Sequence, residues 1–285
     1  MTVGETGRGL LELTRPVNVI AASALTFIGA FVAGGVTEAP IAVAAAVGAT
    51  ALAVGAGNAI NDYFDREIDR INQPERAIPR GAVSPRGALA FSLLLFAGAV
   101  GLAITLPRPA IAIAGINLLA LVAYTEVFKG LPGLGNALVA YLVGSTFLFG
   151  AAAIDGAEIG PAVVLFLLAA IATLTREIIK DVEDVEGDRE EGLNTLPIAI
   201  GERRALAVAA FLLVVAVVAS PIPFLRGHFG VSYLLIVAPA DAVMLLAAYE
   251  SFEDPTVGQS RLKYGMFLAA LAFIVGRAAL EFSSL

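Results

Sequence analysis

Residues 160–188 read GPAVVLFLLAAIATLTREIIKDVEDVEGD. Sixteen residues pass without a charge, and then carboxylates arrive at positions 177, 181, 183, 184, 186 and 188, interleaved with Arg176 and Lys180. An uncharged run continued by helix-forming residues reaches the roughly 20 positions that an α-helix needs to cross hydrocarbon. A second stretch, residues 41–69, has the same design: IAVAAAVGATALAVGAGNAINDYFDREID. It is apolar until Asn58, then places Asn61, Asp62, Asp65 and Asp69 on one side. Shifting the first stretch by 119 positions superposes 58 on 177, 61 on 180, 62 on 181, 65 on 184 and 69 on 188. At about 100° per residue, each set occupies about 100° of arc. Two helices are thus expected to end in matching acidic stripes.

The rest of the chain has the same character. Of 285 residues, 58% are apolar and only 15% charged, against roughly 25% charged in ordinary soluble domains. Nine segments are apolar enough to be membrane helices: 17–36, 41–64, 87–106, 109–128, 134–154, 160–182, 204–224, 230–249 and 264–283. The expected fold is all-α, a polytopic membrane protein with nine transmembrane helices. The first segment is too long for a signal-peptide core and lacks an obvious cleavage site, so it reads as retained. The acidic segments are the second and sixth, four apart, which suggests one domain over 1–285 with a duplicated four-helix unit and a ninth helix. Such repeats are common in membrane proteins.

Basic residues set the orientation. With the N-terminus inside, the cytoplasmic side holds 15 of the 18 Lys and Arg, and the outer side only Arg108, Arg226 and Arg277. This is the positive-inside pattern. It puts both acidic ends, and the long connections 70–86 and 189–203, in the cytoplasm. The formal charge of −7 argues against a nucleic-acid partner, which needs a basic face. Cysteine is absent and His228 is the only histidine, so thiolate and histidine-cluster metal sites are excluded.

An ionised Asp at helix depth costs about 2.5–3.5 kcal/mol on insertion scales, less near the interface. Carboxylates facing one another add repulsion, which a hard divalent cation removes. Mg²⁺ suits carboxylates combined with substrate phosphates. The candidate metal ligands are Asn61, Asp62, Asp65, Asp69, Asp181, Asp184 and Asp188. Arg15, Arg76, Lys129 and Lys180 are candidate partners for phosphate oxygens. A single acidic stripe could merely mark the water boundary; two in one register argue for chemistry. Asn18, Asn117 and Asn136 either hydrogen-bond between helices or touch substrate, and Tyr124 is either an interface aromatic or a site residue.

These motifs resemble the two Asp-rich motifs of the UbiA-type intramembrane prenyltransferases. The likeness extends to Arg15-Pro16 with Asn18, the loop Asn72-Gln-Pro-Glu-Arg76-Ala-Ile-Pro79, Tyr124 to Lys129, and Thr195-Leu-Pro197. Gln73 and Ala77 depart from it, standing where relatives often carry a basic residue and a proline. The resemblance implies a cavity open to the cytoplasmic side, Mg²⁺ bound by the acidic ends, and a polyprenyl diphosphate held by Arg15, Asn18, Arg76, Tyr124, Lys129 and Lys180. It implies catalytic roles for Asp65 and Asp184. The run Arg176 to Asp184 is similar to the archaeal ether-lipid branch of that family, whose members join geranylgeranyl diphosphate to the lipid acceptor geranylgeranylglyceryl phosphate. Two other readings stay open at this level. An aromatic acceptor would make the chain a quinone- or haem-precursor prenyltransferase. An ion-coupled transporter also uses intramembrane carboxylates, although at the midplane rather than at helix ends.

Overall fold

The computed structural model describes residues 3–124, 128 and 130–283. Among the described residues all regular structure is helical. Helices α1 (Val3–Leu13) and α2 (Pro16–Val32) meet at a bend of 49°. A short α3 (Gly35–Glu38) leads into α4 (Pro40–Phe64), which α5 (Arg66–Asn72) continues past a break. Then come α6 (Pro85–Ala103), α7 (Arg108–Ala123), α8 (Leu134–Ala152) and α9 (Gly160–Glu183), with α10 (Val185–Glu190) beyond a second break. The chain closes with α11 (Leu196–Ile200), α12 (Glu202–Ala219), α13 (Ile222–Leu225), α14 (Val231–Glu250) and α15 (Pro255–Ser283).

The starts of these helices are written in the residues. Proline opens α2, α4, α6 and α15, where its fixed φ suits the first turn and its missing N–H has no helical partner to lose. Ser84 caps α6, its hydroxyl accepting from the Gly87 amide at 3.0 Å, which satisfies one of the otherwise orphaned first-turn donors.

Seven stretches are long and apolar enough to cross a bilayer, and an eighth is gained if the bent α1–α2 pair counts as one span. The nine expected spans are therefore seven or eight on length and composition alone, among the described residues. The chain bends at Thr14 and Arg15, which leaves α2 with 17 residues. α7 has 16 residues, and most of the segment beyond Tyr124 lies outside the described residues. Large apolar side chains point outward along these helices, with Ile41 84%, Val218 75% and Leu119 71% exposed. Such a surface would drive aggregation in water and matches lipid. The protein is a multi-pass membrane protein.

Small residues let the central helices touch. At the crossing of α2 and α8, a Cβ on Gly29 would sit 2.1 Å from the Phe147 carbonyl oxygen, and one on Gly150 1.9 Å from the Thr26 carbonyl oxygen. Lipid offers no hydrophobic push between helices, so close backbone packing of this sort supplies much of the attraction. α4 packs on α2 and α6, while α9 packs on α8 and α12. Thr26 and Thr50 share a hydroxyl hydrogen bond of 2.8 Å between α2 and α4. Ile178, Ile179, Leu206, Leu213, Met244 and Leu262 join α9, α12, α14 and α15 in one apolar cluster.

Gly150→Ala is expected to destabilise the protein by about 1–3 kcal/mol, because the facing atoms are backbone and have little room to yield. Gly101→Ala, where nothing lies within 4 Å, is the control. Thermal unfolding in detergent should show a lowered midpoint only for the first. Equal midpoints would refute the close-packed crossing.

Candidate active site

Each acidic stretch turns out to be two helical pieces rather than one. α4 ends at Phe64 and Asp65 adopts φ −80°, ψ 0° before α5 begins. α9 ends at Glu183 and Asp184 adopts φ −92°, ψ 5° before α10. Both sit near the bridge region, where many active-site residues are found. The main-chain bonds match as well: Asp65 donates to Asn61 and Asp69 to Asp65, Asp184 to Lys180 and Asp188 to Asp184, all at 2.9 Å. Uniform helical spacing gave the right faces but missed this shared interruption at the middle acid.

At the first end the carboxylates are held by arginine. The Arg15 Nη2 donates to Asp62 Oδ1 at 2.7 Å. The Arg76 Nη1 donates to both Asp69 oxygens at 2.9 and 2.8 Å and lies 3.5 Å from Asp62. Asp62 and Asp69 are buried, where an unpaired carboxylate would be costly. Gln73 explains how Arg76 is aimed, since its side-chain oxygen accepts from Arg76 Nε at 2.7 Å. The loop carrying Arg76 is anchored by Ala77, Ile78 and Val83, buried against Leu13, Ala59 and Ala88.

The second end is held differently. Asp181 accepts from Asn136 Nδ2 at 2.8 Å, and Lys180 Nζ lies 3.8 Å from Asp184. Burial pushes the Asp188 carboxyl above its usual range, and the Asp184 and Glu191 charges push it further. Thr195 is itself buried, and its hydroxyl has no partner within normal hydrogen-bond distance. Arg176 reaches Glu177 at 2.8 Å and Gln259 of α15 at 3.1 Å. Two aspartates, Asp62 and Asp69, pair with two arginines at the first end, whereas at the second the paired cation within 4 Å of the aspartates, among the described residues, is Lys180.

Tyr124 links the two ends. It lies within electrostatic reach of Glu177, Asp181 and Asp188 from one and Asp65 from the other. Asn61 is half-buried on the last turn of α4 beside Asp62. Asn18 is exposed on the first turn of α2, outside the paired network. Lys129 lies outside the described residues. Asn117 accepts from Ser145 at 3.0 Å, an interhelical bond between α7 and α8. Sequence reasoning did not place Asn58, Gln73 or Thr195 among the site residues, although Asn58 had a signal in the 119-residue register. It left Asn136 open between an interhelical hydrogen bond and a substrate contact, and the structure shows the interhelical bond, to Asp181.

The donor chemistry fits a hard cation. Carboxylates, the Asn61 carbonyl and the unpartnered Thr195 hydroxyl are all oxygen donors, as Mg²⁺ prefers. Among the described residues no three acidic side chains converge on one point.

Comparison with known proteins identifies the family. The UbiA prenyltransferase family profile matches residues 22–271. A digeranylgeranylglyceryl phosphate synthase of Natronomonas pharaonis is 65% identical over 272 residues, covering 95% of this chain and 98% of that protein. A solved structure of digeranylgeranylglyceryl phosphate synthase in membranes superposes with a TM-score of 0.82 at 36% identity, over 96% of this chain and 99% of that one. A UbiA homolog from Archaeoglobus fulgidus bound to GPP and Mg²⁺ shares the fold, with a TM-score of 0.70 at 19% identity, over 96% and 99% of the two chains. The chain belongs to the UbiA prenyltransferase family.

Arg76→Ala should lower stability by about 1–3 kcal/mol, because it strips Asp69 of its partner in a buried place. Asp69→Asn in the same background should recover part of that loss by removing the stranded charge. Thermal midpoints of the two variants measure this, and a double variant less stable than Arg76→Ala would contradict the pairing.

Proposed function

We propose that the protein transfers a geranylgeranyl group from geranylgeranyl diphosphate to geranylgeranylglyceryl phosphate, forming the second ether bond of an archaeal lipid. The observation that carries this is the 65% identity, running over 95% of the chain, with a protein of that activity by name. The site chemistry supports it. Asp65 and Asp184, at the two matching breaks, with Asn61, Asp62, Asp69, Asp181 and Asp188 around them, would hold Mg²⁺. When bound, the metal offsets charge growing on the departing diphosphate. Arg15, Arg76, Lys129 and Lys180 bind the diphosphate oxygens, arginine as a fork and lysine as a point charge. Asn18 and Tyr124 are assigned contacts with the same substrate. The allylic C–O bond breaks with its electron pair leaving on the diphosphate, the apolar helices keep water from the C1 cation, and the acceptor hydroxyl oxygen bonds to C1 while its proton passes to a site carboxylate or to the released diphosphate.

The same reading extends to architecture. The bent α1–α2 pair and α7, with the residues after it, complete nine spans around a cavity that opens to the cytoplasmic side. One domain then contains a duplicated four-helix unit and a ninth helix, which the similar backbone angles at Asp65 and Asp184 support. Basic residues crowd the ends of these same helices, which supports a cytoplasmic N-terminus and active-site face.

Purified protein supplied with labelled geranylgeranyl diphosphate, Mg²⁺ and either geranylgeranylglyceryl phosphate or 4-hydroxybenzoate should prenylate the lipid acceptor faster. Faster prenylation of the aromatic acid would overturn the acceptor assignment. Asp65→Asn and Asp184→Asn should each lower transfer by roughly 100-fold or more, since each removes stabilisation of developing charge, and EDTA should mimic them. Near-normal turnover in either variant would reduce that acidic end to a boundary marker. The orientation has its own check: with no native cysteine, Arg86→Cys should label only from the cytoplasmic side, and labelling only from outside would invert the topology.

A further inference from the structure

Arg15 is the one non-glycine residue with positive φ among the described residues, at φ 50° and ψ 73°. An L-residue with a Cβ occupies that region only when its surroundings hold it there. Its two neighbours act in opposite ways. Pro16 supplies no N–H to help fix the turn, whereas Thr14 is gripped from outside. The Asn58 Nδ2 of α4 donates to the Thr14 carbonyl at 2.8 Å across 44 residues of sequence. Leu13, just before, is buried in the apolar cluster beneath.

The Thr14 carbonyl and the Arg15 N–H belong to one rigid peptide plane. Pinning the carbonyl therefore orients the Arg15 amide, which donates to Glu12 at 3.0 Å, and fixes the axis about which φ of Arg15 is set. Asn58 and Asp62 are four apart on α4 and share a face. One holds the backbone at the α1–α2 bend and the other holds the guanidinium at 2.7 Å. Glu177 stands at the equivalent register of the second end and pairs with Arg176 instead, so the Asn58 contact answers a local need rather than the repeat.

We propose that Asn58 is a positioning residue: it locks the strained Arg15 backbone so that the Arg15 guanidinium is presented to the donor diphosphate. The inference rests on the diphosphate-binding reading of the site given above. Its test uses the full-length protein in nanodiscs, with equilibrium binding of labelled geranylgeranyl diphosphate in Mg²⁺ and steady-state transfer measured side by side. Asn58→Ala should weaken donor binding and raise donor KM about 5–10-fold, the worth of one hydrogen bond, with kcat at saturating donor changed by less than about twofold. Asn58→Asp, equal in size but without the donor N–H, should behave the same way and serves if the alanine variant does not fold. In an Arg15→Ala background, either change should add less than about twofold, because the residue being positioned is gone. Donor binding by the Asn58 variants equal to that of the unaltered protein overturns the proposal. So do effects of Asn58→Ala and Arg15→Ala that multiply fully, since a purely structural role would be independent of Arg15. Failure of the unaltered protein to transfer the prenyl group, with binding behaving as expected, would refute the proposed function and leave the positioning role standing.

Discussion

A carboxylate at the end of an apolar helix must be compensated, because neither lipid nor a packed interior replaces the water it has lost. The site follows from how that compensation is arranged. At the first acidic end it comes from Arg15 and Arg76, which close on Asp62 and Asp69. Those arginines come from opposite sides of α4 in sequence, one before the first long helix and one in the loop after α5. Holding them together requires the bend at Thr14 and Arg15, the contact with Asn58, the Gln73 brace on Arg76 and the apolar plug of Leu13, Ala77, Ile78 and Val83. The local fold around α1 is thus organised by charge neutralisation.

The second acidic end solves the same problem with weaker partners. A neutral amide from Asn136 faces Asp181, and Lys180 approaches Asp184 at 3.8 Å. Neutral donors leave more negative charge in place than guanidinium groups do, so the two ends are alike in register and unlike in electrostatics. The likeness resides in the backbone, where Asp65 and Asp184 interrupt their helices at nearly the same angles. The difference resides in side chains contributed by other elements.

The scaffold is built on close helix contacts. α2 and α8 touch through Gly29 and Gly150, and α4 and α9 flank them. Close contact of backbones removes freedom that long side chains would leave. Tyr124 then stands near carboxylates of both ends. At the opposite margin of α9, Ile178 and Ile179 pack into the cluster with α12, α14 and α15, which backs the helix against a firm wall.

The sequence by itself determined the helical class, the membrane setting and the acidic register. Each depends on local quantities: the length of an apolar run, the recurrence of Asp at helical spacing, and the 119-residue offset between two stretches. The aspartates that the structure pairs with Arg15, Arg76, Asn136 and Lys180 were legible for the same reason. Tertiary structure decided the rest. No periodicity reports that Arg15 adopts positive φ, that Asn58 holds Thr14, or that Asn136 serves Asp181, because each contact joins residues 44 or more positions apart. The breaks at Asp65 and Asp184 escaped the sequence as well, since no proline or glycine stands at either acid. Their shape is set by packing and paired charge, which exist only once the helices have come together.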